Sequence, residues 1–182
     1  MNIVTSTYNS TRSAKLGIWK ILEAVTDPEI PVLSILDLGI VRNVTIKGDP
    51  SGKDPENDVV TITITPTYSG CPAMDMIAIN IRMALLEHGY KSIQIKTVLS
   101  PPWTTDWMTE TGKEKLLAYG IAPPAYKIAS CASMETGEQM AIQCPHCKSY
   151  HTKMISRFGS TACKALYKCM DCQEPFDYFK CH

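Results

Sequence analysis

Two Cys-x-x-Cys knuckles, Cys144-Pro145-His146-Cys147 and Cys169-Met170-Asp171-Cys172, stand with twenty-one residues between them. One knuckle lets two thiolates reach the same ion, and two complete a tetrahedral S₄ shell of the kind zinc prefers. The spacing is that of a zinc ribbon, a hairpin too small to hold itself together without its metal. A reduced, metal-free hairpin is the alternative, but so short a segment has little core to support it. A closed Cys₄ site keeps no open coordination position, so this zinc would be structural. Cys163 and Cys181 lie in the same stretch and form an additional candidate thiol site if they meet in space. Cys131 has no assignment.

A different thiol chemistry is possible at Thr67-Tyr68-Ser69-Gly70-Cys71-Pro72. Proline suits the first position of a helix, which makes Cys71 the expected N-cap. There its sulfur would sit beside unpaired N–H groups and the positive end of the helix dipole, which lowers a thiol pKa. A thiolate is both nucleophile and soft-metal ligand. The plain alternative is a small buried residue at a turn. No base accompanies Cys71: of the four histidines, His146, His151 and His182 fall in the ribbon, and His88 at the far end of the helix that Cys71 starts. That argues against a thiol hydrolase, whereas holding iron or a cluster requires no base.

Asp27, Glu29 and Asp37 crowd one loop and could support a metal or point at the Cys71 turn. Equally, Asp27 could cap a turn and Asp37 brace Gly39 through backbone hydrogen bonds. Trp103 and Trp107 share a short loop that reads as a lid over a core before a partner site. The ribbon's basic residues are scattered, and Phe176, Tyr178 and Phe179 lie among acids as well as Lys180, which favours a solvated or protein-docking face over nucleic acid.

The elements that must position these residues follow from periodicity. Ala14, Ile18, Ile21, Leu22 and Val25 recur at helical spacing up to Asp27-Pro28. Two β-branched runs, 41–47 and 59–65, read as a hairpin with a long polar tip at 48–58. A helix from Pro72 carries Met74, Ile77, Ala78, Ile81 and Leu85. A third strand holds Ile93, Ile95 and Leu99, and a last helix at 109–119 stops at Gly120. The expected fold is α+β: a small α-β-β-α-β-α domain with helices packed on a mostly antiparallel sheet, followed by a C-terminal zinc-ribbon hairpin. The expected divisions are 1–120, a linker at 121–143, and the ribbon at 144–182, with the first ten residues frayed. The 182 residues carry 18 Lys and Arg against 18 Asp and Glu. A formal charge of zero gives no global field for nucleic acid or anionic membrane. Apolar runs are far short of a membrane span, and Met1-Asn2-Ile3 opens no signal peptide, so the expected location is the cytoplasm, with reduced thiols.

These residues carry a family resemblance. Asp27-Pro28-Glu29-Ile30-Pro31-Val32, Asp37-Leu38-Gly39 and Thr67-Tyr68-Ser69-Gly70-Cys71-Pro72 resemble the small domain of SufT-like iron–sulfur assembly factors. Ser100-Pro101-Pro102-Trp103-Thr104-Thr105-Asp106-Trp107-Met108, Gly120-Ile121-Ala122-Pro123-Pro124, the stretch from Phe158 to Tyr167 and that from Glu174 to Cys181 are similar to PaaD-like phenylacetate-degradation proteins. The resemblance implies a role beside the multicomponent phenylacetyl-CoA 1,2-epoxidase, with its di-iron oxygenase and iron–sulfur reductase. It implies an accessory that assembles or maintains a metal centre, has no catalytic activity of its own, and handles iron or a cluster transiently at Cys71. A non-catalytic subunit that stays bound to the epoxidase is the alternative, and a nucleic-acid-binding ribbon a weaker one. Which component is served, and whether a homodimer brings two Cys71 together, stay open at this level.

Overall fold

The computed structural model describes residues 15–48, 59–68, 70–124 and 142–180. The terminal segments, the strand-connecting tip at 49–58, Ser69, Cys131 and Cys181 lie outside the described residues. The chain divides into two compact units, Met1–Pro102 and Trp103–His182. No helix among the described residues is long and apolar enough to cross a membrane.

In the first unit, helix α1 covers 15–23 among the described residues and buries Ile18 and Leu22, with Val25 just beyond it. Strands β1 (Val41–Lys47) and β2 (Val59–Ile64) run antiparallel, with Val44 opposite Ile62 and Ile46 opposite Val60. Along β2, Val60, Ile62 and Ile64 are buried and alternate with half-buried Thr61 and Thr63, the period-two pattern of a strand with one core face. β3 (Ser92–Thr97) pairs parallel to β2, with Ile93 opposite Val60, giving the order β1-β2-β3. A parallel pair needs a long crossover, and helix α2 (Ala73–Glu87) supplies it. It turns Ala73, Ile77, Ile81 and Leu85 inward, one residue per turn. Leu99 departs from expectation: β3 ends at Thr97, and Leu99 is 60% exposed beyond it.

The second unit opens with Trp103, buried edge-on against Phe179 at 6.2 Å between ring centroids. A 3₁₀ turn (Thr105–Trp107) leads to α3 (Glu110–Tyr119). Thr109 caps α3 by accepting the Gly112 N–H at 2.9 Å, and Gly120 ends it with φ 90°, a left-handed conformation glycine adopts without steric cost. Two residues, β4 (Ile121–Ala122), then pair parallel to the last strand, with Ile121 opposite Asp177 and Ala122 opposite Tyr178. Strands β5 (Thr152–Ser156), β6 (Lys164–Cys169) and β7 (Pro175–Phe179) form an antiparallel meander, and the sheet order is β4-β7-β6-β5. Residues 121–122, expected in a linker, thus belong to the ribbon's sheet; two residues are too few for periodicity to reveal a strand.

Phe176, Tyr178 and Phe179 are buried, which corrects their reading as a docking face. Tyr167 stacks on Phe176 at 5.9 Å and meets Tyr178 edge-on at 5.7 Å. With Ala122, Ile142, Ala165, Cys144 and Cys169, these rings form the core of the ribbon. Asp177 falls on the side of the pleat opposite Phe176 and Tyr178 and lies 3.7 Å from the buried Lys164 ammonium.

Candidate functional site

Each knuckle is a tight turn ahead of a strand. The Cys144 N–H donates to the Ser149 carbonyl (2.8 Å) and the Lys148 N–H to the Cys144 carbonyl (3.0 Å). The residue after each second cysteine is left-handed, Lys148 at φ 65° and Gln173 at φ 66°. Both side chains steady their own turn: Lys148 Nζ donates to the Pro145 carbonyl (2.8 Å), and Gln173 Nε2 to the Met170 carbonyl (2.6 Å). Sequence reasoning misses these two residues because neither is the glycine or asparagine that usually signals positive φ.

The knuckles bring Cys144, Cys147, Cys169 and Cys172 together with all four sulfurs within 4.8 Å of one another. The closest contacts are Cys147 to Cys169 at 3.5 Å and Cys144 to Cys172 at 3.8 Å. A Zn–S bond of about 2.3 Å gives a tetrahedral edge of about 3.8 Å, so this sulfur set fits zinc. The N–H groups of Cys172 and Asp171 point at the Cys169 sulfur and bring its pKa down to about 7, against the effect of burial. At Cys172 the Glu174 N–H supports the thiolate, but burial and the sulfurs of Cys169, Cys147 and Cys144 win, and the thiol is pushed up to about 12. Four thiolates cannot share this volume without a cation. Bound zinc would supply that charge and cross-link the two turns. Cys163 does not join them; it is buried, with its sulfur 3.0 Å from Thr161 Oγ1.

Cys71 lies in the turn between β2 and α2, its N–H donating to the Tyr68 carbonyl (3.2 Å) and its carbonyl accepting from the Met74 N–H (3.4 Å). The helix starts one residue later than expected, with Pro72 at the cap position and no side-chain cap bond there. The Ala73 N–H and the Tyr68 side chain still hydrogen-bond the Cys71 sulfur. The expected low pKa is corrected: burial raises it, and the charges of Glu29 and Asp27 raise it further, outweighing the hydrogen bonds. The half-buried thiol therefore holds its proton above the ordinary value of 9.0.

The acids owe their position to the loop between α1 and β1. Asp27 Oδ1 accepts the N–H groups of Glu29 (2.7 Å) and Ile30 (2.8 Å), pinning the turn at Pro28. Ile30, Leu33, Ile35 and Leu38 are buried, so the loop packs as core rather than lying on the surface. Asp37 Oδ2 accepts the Ser34 N–H and the Asp37 N–H donates to Ser34 Oγ, both at 3.0 Å. Asp37 thus braces Ser34, not Gly39 as expected. Asp27 and Glu29 are the acids whose field reaches Cys71.

The family described as iron–sulfur cluster assembly protein matches residues 16–95, and the PaaD zinc beta ribbon domain matches 129–180. An Escherichia coli (strain K12) protein, named for a subunit of 1,2-phenylacetyl-CoA epoxidase, is 51% identical over 90% of this chain and 91% of its own length. A Porphyromonas gingivalis protein named Fe-S protein maturation auxiliary factor is 37% identical over 57% of this chain and 89% of its own. A crystal structure of a domain of unknown function, DUF59, from Bacillus anthracis superposes with a TM-score of 0.52 at 29% identity, covering 60% of this chain and 96% of that one. The chain belongs to the PaaD family, in which an iron–sulfur assembly domain precedes a zinc ribbon.

Two measurements check these sites. Metal analysis is expected to find about one zinc per chain, and Cys172→Ser to lose it. Amide exchange should then rise across 142–180 while 15–102 keeps its protection; retained zinc would refute the ligand set. At Cys71, Glu29→Gln removes a like charge from beside the forming thiolate. The thiol pKa should fall, and alkylation of the Cys71 peptide at fixed pH should speed up, whereas an unchanged rate would refute the electrostatic reading.

Proposed function

We propose that this PaaD-family chain assembles or maintains an iron or iron–sulfur centre of a phenylacetyl-CoA 1,2-epoxidase, acting in the cytoplasm as an accessory without catalysis of its own. The observation that carries the reading is Cys71 itself. It is the one cysteine in the first unit, half-buried and hydrogen-bonded at the start of α2, with burial and then the charges of Glu29 and Asp27 raising its pKa. A thiol so placed holds its proton in water, while the nearby negative charge favours a cation. An arriving ferrous ion displaces that proton and bonds the sulfur, and the two carboxylates offset the ion's charge. A single protein thiolate makes a weak site, which suits a cargo that must leave again. The similarity to a named maturation factor and to a protein named for an epoxidase subunit points the same way.

In this reading the second unit is a zinc-held platform that recognises the oxygenase or reductase. The name of the Escherichia coli relative favours one further reading, a non-catalytic subunit that stays bound during turnover.

Cys71→Ser separates chemistry from packing. Serine still accepts the Ala73 N–H, so folding stability should change by no more than about 1 kcal/mol. Epoxidase activity in cells should nevertheless fall sharply, because the soft ligand is gone. A fully active epoxidase matured with the serine variant would refute the carrier role. Withdrawing the wild-type protein after maturation separates the two readings: activity that persists supports an assembly factor, and activity that stops supports a resident subunit.

A further inference from the structure

Helix α2 carries two apolar stripes. Ala73, Ile77, Ile81 and Leu85 are buried, while Met76, Ile79, Met83 and Leu86 are 49, 51, 54 and 49% exposed. At 3.6 residues per turn the two stripes lie about 200° apart, on opposite sides of the helix. A helix apolar on both sides is characteristically covered on both sides. The outer stripe also has a specific rhythm. Its three-four-three spacing is that of heptad positions a, d, a and d, the seam of a two-helix coil. In that frame Asp75 and the exposed Arg82 take the g positions, and Asn80 and the exposed Glu87 take the e positions.

We propose that α2 pairs in parallel with α2 of a second copy of this chain along Met76, Ile79, Met83 and Leu86. In a parallel pair a g residue faces the e residue five positions on in the other helix. Arg82 then faces Glu87 of the second copy, and the two-fold axis repeats the ion pair. Asp75 faces Asn80, a polar pair without repulsion. An antiparallel pair sets g against g and brings Arg82 against Arg82. The charges therefore choose both the occupant and the direction. Arg82 Nη1 donates to the Ile93 carbonyl at 2.9 Å, which fixes the guanidinium while its other N–H groups stay able to bond outward. Two heptads are short for a free coiled coil, but α2 is already formed by packing in its own unit, so the cost of helix nucleation does not recur.

Parallel pairing sets both Cys71 turns at the same end of the dimer. Two thiols could then share a cargo that one holds weakly; this consequence rests on the carrier reading, while the pairing does not.

The test uses the full, zinc-loaded chain under reducing conditions, with molar mass read by sedimentation across a concentration series. Wild type should rise from 20.2 kDa to twice that mass. Ile79→Glu should keep the wild-type circular dichroism and remain monomeric. Arg82→Glu and Glu87→Arg should each shift the protein toward monomer. Mixing those two variants should restore a dimer, because opposite charges again meet at both flanks. A wild type that stays at 20.2 kDa, a dimer indifferent to Ile79→Glu, or a mixture that fails to reassociate would overturn the proposal. No iron enters this readout, so its failure is distinguishable from failure of the Cys71 role.

Discussion

A sulfur held away from water and near other negative groups keeps its proton until a cation replaces it, and both thiol environments of this chain are set by that constraint. In the ribbon, four sulfurs within 4.8 Å cannot all ionise unaided, and the spread between Cys169 near 7 and Cys172 near 12 expresses the conflict. At Cys71 the opposition comes first from burial and then from Glu29 and Asp27. The difference lies in completeness. The ribbon brings four sulfurs together from two turns, a complete set for zinc, whereas the first unit has one thiol that feels the charge of two acids. A closed set of four thiolates suits a metal that stays.

The path of the chain explains how a single thiol comes to face those acids. Asp27 holds its turn through two backbone bonds, and the loop that follows is anchored by Ile30, Leu33, Ile35 and Leu38. The loop re-enters the sheet at β1, next to β2, and β2 runs directly into the Cys71 turn. Because β3 lies parallel to β2, α2 must cross over, so the turn that carries Cys71 is obligatory for the topology. Cys71 therefore belongs to the connection that closes the fold.

Much of this is legible in sequence where the physics is local. Knuckle spacing picks out the four cysteines that cluster because a two-residue gap alone decides whether two sulfurs can reach one point. Alternation along Val60, Ile62 and Ile64 and the glycine stop at Gly120 are local in the same sense. Properties that depend on what distant segments contribute are the ones misread. The helix start suggests a low Cys71 pKa, but burial, joined by acids more than forty residues away in the chain, reverses its direction. Phe176, Tyr178 and Phe179 look like a surface because their neighbours in sequence are charged, whereas their neighbours in space are Tyr167 and Trp103. β4 is invisible because its partner, β7, comes only after β5 and β6 in the chain.

The four ribbon sulfurs are unequal in exposure, and this would set an order of events for loss of a bound zinc ion. Cys144 and Cys169 are fully enclosed in the aromatic core, Cys172 is half-covered, and Cys147 is open to water. A chelator or an oxidant would meet Cys147 first and Cys172 next, while Cys144 and Cys169 would stay covered until the core around Tyr167 and Tyr178 loosened. Release of a bound ion would then depend on the breathing of the hydrophobic core as well as on affinity, the interior serving as its latch.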